Sequence, residues 1–592
     1  MNPPIVQTIS ECFVKPQYPV EEVKPPIYLA AWDITMLSLN YIQKGLLFIK
    51  PQTTTNDQEN PVKSLLDRLK DSLSLTLVHF YSLAGRLVTL KQENPPLYSV
   101  YIDCNNSPGA KFIYATADLT IADILSPVDV PVVVQSFFDH DRAINHDGHS
   151  MSLLSIQVTE LIDGIFIGCS ANHAVVDGTA YWQFFNSLSQ TFSAQEKNPG
   201  ISQPPFLERW FPRGHGPMHN LPFSHHDQFL RRFEPPPLKE RFFHFSSESI
   251  AKLKAKANSE TKSTKISSFQ SVSALVWRCV IRARRLPRDP ETTFRCTVNN
   301  RSRINPPLPN EYFGNSVNVL TANATVGELL DHGLGRAAWR LHEAVEAHTD
   351  AAVQQWAEKW IEDPVISTRG PALYNPYGVL ESSSPRFRMY ENEFGMGKAV
   401  AIRSGYANKL DGKVMFYPGY EGGGSMDLEV NLPPETMAAL ESDEEFMDGL
   451  NGEKRTFKIS KTLLKKLKSW VRSLPPIHPI LYPHFSSEQL KENPNSFPDE
   501  VGALFLSIVA SRHPAACFIA CFQLQHPRPP ASDEKSIPRP QPSVEAMIRR
   551  IILCGSRRDG LVTTLQLRSQ RSLYTAANVQ ISYKDYGLKY EF

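Results

Sequence analysis

The chain has 592 residues, 41% of them hydrophobic, a composition typical of a globular protein with two or more domains and a sizeable core. Its formal net charge is only +1, so overall charge does not indicate nucleic acid or any other strongly charged partner. Residues 451–592 carry 21 Lys and Arg against 11 Asp and Glu, whereas residues 1–450 carry 41 against 50. This asymmetry predicts a boundary near residue 450.

Residues 1–190 combine helical and strand-like patterns. The apolar spacing over residues 62–80 predicts one long amphipathic helix, and Gly85 is interpreted as its C-terminal cap. Residues 153–159 and 165–170 are rich in β-branched and apolar side chains, and an Asp-Gly turn signal separates them. These two segments are therefore predicted to be neighbouring strands.

An H-x-x-x-D-G motif follows these strands directly, at residues 173–178. After Gly178 the apolar residues are spaced for a helix. His173 is therefore expected to leave the end of a central strand, and Asp177 to lie in the turn before a helix. An imidazole there can accept a proton from a nucleophile, although the same short motif also occurs where a histidine is purely structural.

Residues 191–450 divide into a segment that connects two domains and a second unit of mixed helices and strands. Residues 191–240 are rich in Pro, Gly and His and predict a long irregular crossover. Within residues 241–450, residues 268–285 predict a helix that opens on a serine cap. A capping box at residues 325–328 is expected to open a second helix that runs toward Val345.

Residues 451–592 differ from everything before them. Basic and apolar residues alternate between Lys454 and Arg472, as in a basic amphipathic helix. Such a helix could contact a membrane or a nucleic acid, and a solvated helix face is the interpretation that we favour. Many prolines follow, so we expect a basic, Pro-rich, poorly structured extension of unknown role.

Membrane and export signals are weak. The most apolar stretch, residues 501–522, is interrupted by an Arg-His-Pro sequence, so we expect a buried segment and no membrane span. The N-terminus lacks the pattern of a secretory signal. The eight cysteines are scattered, which fits a reducing compartment, and we expect a cytoplasmic protein.

Several segments besides the H-x-x-x-D-G motif occur in a characteristic order. They are W-D at 32–33, L-A-G-R at 83–86, N-N-R-S-R at 299–303, P-P-L-P at 306–309, Y-F-G-N at 312–315 and E-F-G-M-G at 393–397. In this order and spacing they resemble the plant BAHD acyltransferases. The resemblance covers about residues 5–450 and is strongest for a subgroup of uncharacterised acetyltransferases.

The resemblance implies an α/β fold like that of chloramphenicol acetyltransferase. Two domains of similar size, each a mixed sheet flanked by helices, would meet around a channel. The domains would be residues 1–190 and 241–450, joined by the crossover 191–240 and followed by the extension 451–592. Acyl-CoA would enter the channel as co-substrate from one face and a small-molecule acceptor from the other. A monomer with no permanently bound cofactor, no metal and no nucleic-acid partner is expected.

The same resemblance assigns roles at the H-x-x-x-D-G motif. His173 would remove the proton from an acceptor hydroxyl or amine, which would attack the thioester directly without an acyl-enzyme. Asp177 would point away from the channel and pair with Arg301, because a buried carboxylate needs a partner. Asp177, Gly178 and Arg301 would then support the loop that holds His173.

A second motif stands where the family has D-F-G-W-G. It consists of Glu393, Phe394, Gly395, Met396 and Gly397. Its main role is expected to be structural, as a tight loop supported by two glycines. Met396 has no N–H to donate, so any stabilisation of the oxyanion must come from a backbone amide or another side chain.

CoA phosphates need a local cationic patch within an acidic region. Arginines on one predicted helix and the amides at its start could provide this patch, or they could form an ordinary solvated face. The candidates are Ser267, Ser268, Arg278, Arg282 and Arg285. Histidine-rich runs at 139–149 and 225–227 are interpreted as loop residues rather than as metal ligands.

The favoured function is transfer of an acyl group, acetyl by subgroup resemblance, from acyl-CoA to a hydroxyl or amine in plant specialised metabolism (EC 2.3.1). One alternative is a lyase on the same fold that uses no CoA, against which the intact His173 argues. The other is a binding protein that has lost catalysis. The acceptor stays open, because pocket-lining residues in such a fold are scattered over loops.

Overall fold

The computed structural model describes residues 5–18, 23–51, 61–94, 96–105, 108–194, 201, 203–368, 377–451, 524–525, 565–566 and 578–581. The chain divides into two compact units, Met1–Glu453 and Lys454–Phe592. In the second unit the described residues form short antiparallel strands, Leu524–Gln525, Leu565–Gln566 and Asn578–Ile581. The predicted basic helix and poorly structured extension otherwise lie outside the described residues. No described helix combines the length and the apolar character needed to cross a bilayer.

The first unit mixes strands and helices throughout. Its strands are β1 (Gln7–Val14), β2 (Ile27–Tyr28), β3 (Ile42–Ile49), β4 (Arg86–Glu93), β5 (Pro96–Asp103), β6 (Ala110–Thr116), β7 (Leu154–Glu160), β8 (Gly164–Ala171), β9 (Lys239–Phe245), β10 (Glu291–Asn299), β11 (Val317–Thr325), β12 (Gly378–Ser382), β13 (Ala401–Ser404), β14 (Lys413–Pro418) and β15 (Met426–Leu432). Its helices are α1 (Ala31–Thr35), α2 (Pro61–His79), α3 (Ile121–Leu125), α4 (Gly178–Ala194), α5 (Ser247–Thr261), α6 (Ser268–Ala283), α7 (Val326–Asp331), α8 (Leu334–Glu346), α9 (Asp350–Glu362), α10 (Pro434–Glu441) and α11 (Glu444–Asn451).

Two six-stranded mixed sheets organise this unit. The first has the order β1-β6-β7-β8-β3-β13, and the second has the order β11-β10-β12-β14-β15-β9. A small sheet of order β2-β5-β4 accompanies them. The α/β class with mixed sheets flanked by helices is confirmed. Strand β13 comes from the predicted second domain, yet it pairs with β3 in the first sheet. The predicted domain limits, 1–190, 191–240 and 241–450, stay predictions.

The elements that carry the H-x-x-x-D-G motif agree with the sequence pattern. Strands β7 and β8 pair antiparallel, and almost all of their side chains are buried, which explains their continuous apolar character. Helix α4 begins at Gly178 and buries Tyr181, Phe184, Phe185 and Leu188, the residues whose spacing predicted it. The strand–loop–helix prediction is therefore confirmed.

Two helix predictions need correction. Helix α2 ends at His79, and Gly85 is extended (φ −76°, ψ −169°) rather than a left-handed cap. A Cβ at Gly85 would lie 2.6 Å from the carbonyl oxygen of Asp103, so close approach of β5 explains the glycine. The helix opened by the capping residue Thr325 stops at Asp331, and α8 begins anew after Gly333, a poor helix former.

A buried polar network connects the two six-stranded sheets. Lys44 on β3 donates to the hydroxyl of Tyr417 on β14 (2.5 Å), which donates to Glu429 on β15 (2.7 Å). Ser404 on β13 also donates to Glu429 (2.7 Å), and Lys409 Nζ lies 3.2 Å from the same carboxylate. All of these side chains are buried, and each forms a hydrogen bond within the network. The network therefore links the two sheets without leaving these polar groups unpaired.

Candidate active site

His173 lies in the loop between β8 and α4, and its backbone is held from two sides. Its N–H donates to Asn145 Oδ1 (2.7 Å), and its carbonyl accepts from Asn315 Nδ2 (2.8 Å). Asn172 reinforces the first contact, because its side-chain amide donates to the carbonyl of Asn145 (2.7 Å). The backbone at His173 is thus held by asparagines from distant parts of the chain.

Asp177 and Arg301 form the predicted buried ion pair. Arg301 Nη1 and Nη2 donate to Asp177 Oδ2 and Oδ1 at 2.7 and 3.0 Å, a bidentate geometry. The backbone amides of Ala180 and Ser316 also donate to this carboxylate, at 2.9 and 3.0 Å. The carbonyl of Tyr312 accepts from the guanidinium (3.0 Å). Asp177 is fully buried, and both of its carboxylate oxygens accept hydrogen bonds from Arg301 and from backbone amides.

A second buried ion pair supports the same loop from its other side. Arg209 Nε donates to Asp33 Oδ2 (2.9 Å), and Arg209 Nη2 donates to the carbonyl of Val175 (3.0 Å). Asp33 Oδ1 accepts from both the backbone and side-chain amides of Asn315. Sequence reasoning noted Asp33 only as a landmark and missed Arg209. The available signal was an arginine next to Glu208 within the otherwise apolar segment 206–211 of the crossover.

Gly314 is required by close packing against this second pair. A Cβ on Gly314 would lie 2.8 Å from Arg209 Nη1. The guanidinium also donates to the carbonyl of Phe313. The Y-F-G-N segment therefore contacts both ion pairs, through Tyr312 on one side and Asn315 on the other.

The imidazole of His173 is partly buried. Burial lowers its pKa from the ordinary 6.5, although its own carbonyl group and Asp177 act in the opposite direction. Nδ1 is shielded from solvent, and no other described residue hydrogen-bonds to it. A lowered pKa favours the neutral form of the ring, which has a lone pair with which to accept a proton.

The second motif is built around a buried phenyl ring. Phe394 packs against Phe48, Phe185 and Phe192, with ring centroids 6.2, 5.5 and 5.7 Å apart. Gly395 and Gly397 have positive φ angles (72° and 76°), and Phe394 itself has φ 46°. Glu393 is exposed, Met396 is partly buried, and its amide donates to the carbonyl of Glu393 (2.9 Å). This is the contact pattern of a tight structural loop.

Replacing Phe394 by alanine is expected to lower the free energy of unfolding by about 3–5 kcal/mol, because a cavity would remain among three phenyl rings. Urea-induced unfolding followed by tryptophan fluorescence measures this change. The matched control is Glu393→Gln, an exposed neighbour, whose effect should stay within about 0.5 kcal/mol. Equal stability of the Phe394 and Glu393 variants would show that the ring is not part of the core.

Two of the arginines suggested for CoA binding have intrachain partners. Arg282 donates to Asp443 and Glu445, both at 2.6 Å, and Arg278 reaches Glu445 at 3.3 Å, so both fasten α6 to α11. Ser267 caps α6 in a capping box, which satisfies amides at the helix start. Arg285 is exposed, and Ser268 is the first residue of the helix. These contacts weaken the case for Arg278 and Arg282 as phosphate ligands.

The comparison with known families decides the identity of this fold and site. A sequence model of the Transferase family matches residues 5–447, about three quarters of the chain. The chain belongs to the BAHD acyltransferase family. It is 37% identical over 451 residues to an uncharacterized acetyltransferase of Arabidopsis thaliana, covering 75% of this chain and 99% of that protein. It is 32% identical to the BAHD acyltransferase DCR of the same plant, covering 75% and 92%.

Solved structures show the BAHD fold. Vinorine synthase superposes with a TM-score of 0.56 at 19% identity, covering 76% of this chain and 99% of its own. TRI101 of F. graminearum, solved with coenzyme A and T-2 mycotoxin, gives a TM-score of 0.59 at 16% identity, covering 72% and 99%. The chloramphenicol-acetyltransferase-like fold is therefore confirmed.

The BAHD family transfers acyl groups from acyl-CoA to plant metabolites, and this chain is an acyltransferase of the EC 2.3.1 type. The predicted enzyme class is confirmed at that level.

Proposed function

We propose that this enzyme transfers an acetyl group from acetyl-CoA to a hydroxyl or amine of a plant metabolite, with His173 as the general base. The observation that carries the proposal is the position of His173, whose backbone is held between the ion pairs Asp177–Arg301 and Asp33–Arg209. Burial also lowers the pKa of its imidazole. Rigid placement of a base with a suitable pKa is what proton abstraction requires. The name of the Arabidopsis relative supports acetyl as the acyl group.

In the proposed reaction the acceptor oxygen or nitrogen attacks the thioester carbonyl while His173 takes its proton. A C–O or C–N bond forms, and a tetrahedral intermediate results. Its collapse breaks the C–S bond, and the proton held by His173 passes to the departing CoA sulfur. Because Met396 has no N–H, a backbone amide is the donor proposed for the oxyanion.

The supporting roles follow from the contacts described above. Asp177, Gly178 and Arg301 position the loop, and the segment from Glu393 to Gly397 is structural. Arg285, Ser267 and Ser268 stay as proposed contacts for the CoA phosphates, because Arg285 is exposed and the serines begin α6. We also propose a cytoplasmic monomer. The free state of the five described cysteines is consistent with a reducing compartment.

A donor and acceptor screen tests this function. The full chain is incubated with a panel of acyl-CoAs and candidate alcohols and amines, and released CoA is measured with a thiol reagent. CoA release that requires both an acceptor and His173 supports acyl transfer. Conversion of an acceptor without CoA would instead indicate a lyase, and failure to bind CoA at all would indicate a non-catalytic protein.

The pH profile follows from the lowered pKa of His173. Only the neutral imidazole accepts a proton, so kcat/KM should be independent of this group above pH 6.5 and fall as pH drops through the lowered pKa. Initial rates at subsaturating acyl-CoA across the pH range provide the profile. An acid limb centred above 6.5 would contradict the burial that lowers this pKa.

A further inference from the structure

The fold brings together histidines from two segments far apart in the sequence. His146 lies in the short 3₁₀ turn Asn145–His149, and His226 begins the 3₁₀ turn His226–Gln228 in the crossover. Their ring centroids are 4.8 Å apart, and the rings of His225 and His226 are 4.0 Å apart. The interpretation of these runs as separate loop residues did not anticipate this contact.

Donor atoms of His225, His226 and the adjacent Asp227 lie close together. His225 Nδ1 also accepts the backbone N–H of Asp227 at 3.4 Å, a long contact that a bound ion would replace. His225 Nδ1 lies 3.0 Å from Asp227 Oδ2, and His226 Nε2 lies 3.5 Å from Asp227 Oδ1. One donor atom from each of the three residues lies within 4.8 Å of the others. Ligands of a tetrahedral ion with bonds of about 2.0–2.2 Å are about 3–3.5 Å apart, so small rotamer changes suffice to close a site.

His146 is suited to be the fourth ligand, whereas its neighbour His149 is not. Among the described residues, no hydrogen bond reaches the ring nitrogens of His146. His149 uses both of its ring nitrogens, with Thr89 Oγ1 at 2.8 Å and with the carbonyl of His146 at 2.7 Å. The ring of His146 therefore lies beside that of His226 without a hydrogen bond from the described residues to its nitrogens, and a rotamer change would turn one of them toward the ion.

We propose that His146, His225, His226 and Asp227 bind one divalent first-row transition-metal ion, with zinc as the representative. Three imidazoles and one carboxylate favour zinc, copper or nickel over magnesium or calcium, which prefer all-oxygen sites. Metal binding here goes beyond acyl transfer and does not depend on it.

The ion has a structural role near the catalytic loop. It joins the crossover to the turn that contains Asn145, whose side chain accepts the N–H of His173. The same two segments are already linked by Arg232 and Asp147, at 2.7 Å, so the ligands are positioned before an ion binds. Bound zinc should therefore stabilise the fold.

Zinc titration of the untagged full-length protein tests the site. After removal of metals with a chelator, calorimetric titration with zinc chloride should show one saturable site that magnesium chloride does not occupy. His226→Ala should weaken zinc binding by more than about tenfold, since it removes a direct ligand. The matched control is His215→Ala, a substitution at an exposed histidine of the same crossover, which should bind zinc like the wild type.

Two further readouts keep the test decisive if His226→Ala folds poorly. His146→Gln should also lose zinc affinity, and cobalt bound to the wild type should give the visible absorption of a tetrahedral site with nitrogen ligands. The proposal is overturned if the wild type shows no saturable zinc binding. It is equally overturned if folded His146→Gln binds zinc with the affinity of the wild type and of the His215→Ala control.

Discussion

Replacing His173 by alanine is expected to lower kcat/KM by about a hundredfold to ten-thousandfold, the range for loss of a general base. The backbone of residue 173 remains held by Asn145 and Asn315, so the fold should survive. Residual turnover would come from binding and orienting the two substrates. Acceptor-dependent CoA release measures the rate, and circular dichroism with thermal unfolding measures the fold.

His215→Ala is the matched control, because His215 is an exposed histidine outside the site. Its kcat/KM should equal that of the wild type. If the His173 variant were folded and retained full kcat/KM, the base would have to be another group. If it failed to fold, the conservative His173→Gln variant would carry the same test.

Breaking the Asp177–Arg301 pair is expected to have a large effect on stability. Asp177→Ala or Arg301→Ala should each lower the free energy of unfolding by about 3–5 kcal/mol, because each leaves a buried charge without its partner. Activity should fall as well, since the loop that holds His173 loses its anchor. Chemical denaturation and kcat/KM of the folded fraction measure the two effects separately.

The double variant Asp177→Ala/Arg301→Ala distinguishes the cost of an unpaired buried charge from an ordinary loss of packing. It should be destabilised by less than the sum of the two single changes, since no buried charge is left unpaired. Arg213→Ala, at an exposed arginine of the crossover, should change stability by no more than about 0.5 kcal/mol. An Asp177→Ala variant with native stability but no turnover would contradict a purely structural role for Asp177.

Much of the site followed from local patterns and from the family resemblance. Continuous apolar runs predicted β7 and β8, and helical spacing after Gly178 predicted α4, because these elements bury their side chains almost completely. The partner of Asp177 was identified as Arg301 through the order of motifs. Periodicity itself contains no information about that pairing, since the two residues are far apart in the chain.

The parts that were missed depend on contacts without a periodic signature. Arg209 lies in an irregular segment, and its partner Asp33 is 176 positions away. Arg278 and Arg282 looked like a phosphate-binding face because their carboxylate partners are far away in the sequence, Asp443 just before α11 and Glu445 in its first turn. Single-sequence patterns report burial and local turns, whereas long-range ion pairs require the fold.

The most direct test of the central claim is kcat/KM for acceptor-dependent CoA release, measured from about pH 5 to about pH 9 for the wild type and His173→Ala together. If His173 is the base, the wild type should show an acid limb below pH 6.5, and the variant should show a much lower, pH-independent rate. The same acid limb in folded His173→Ala would show that another group is the base and would contradict the account.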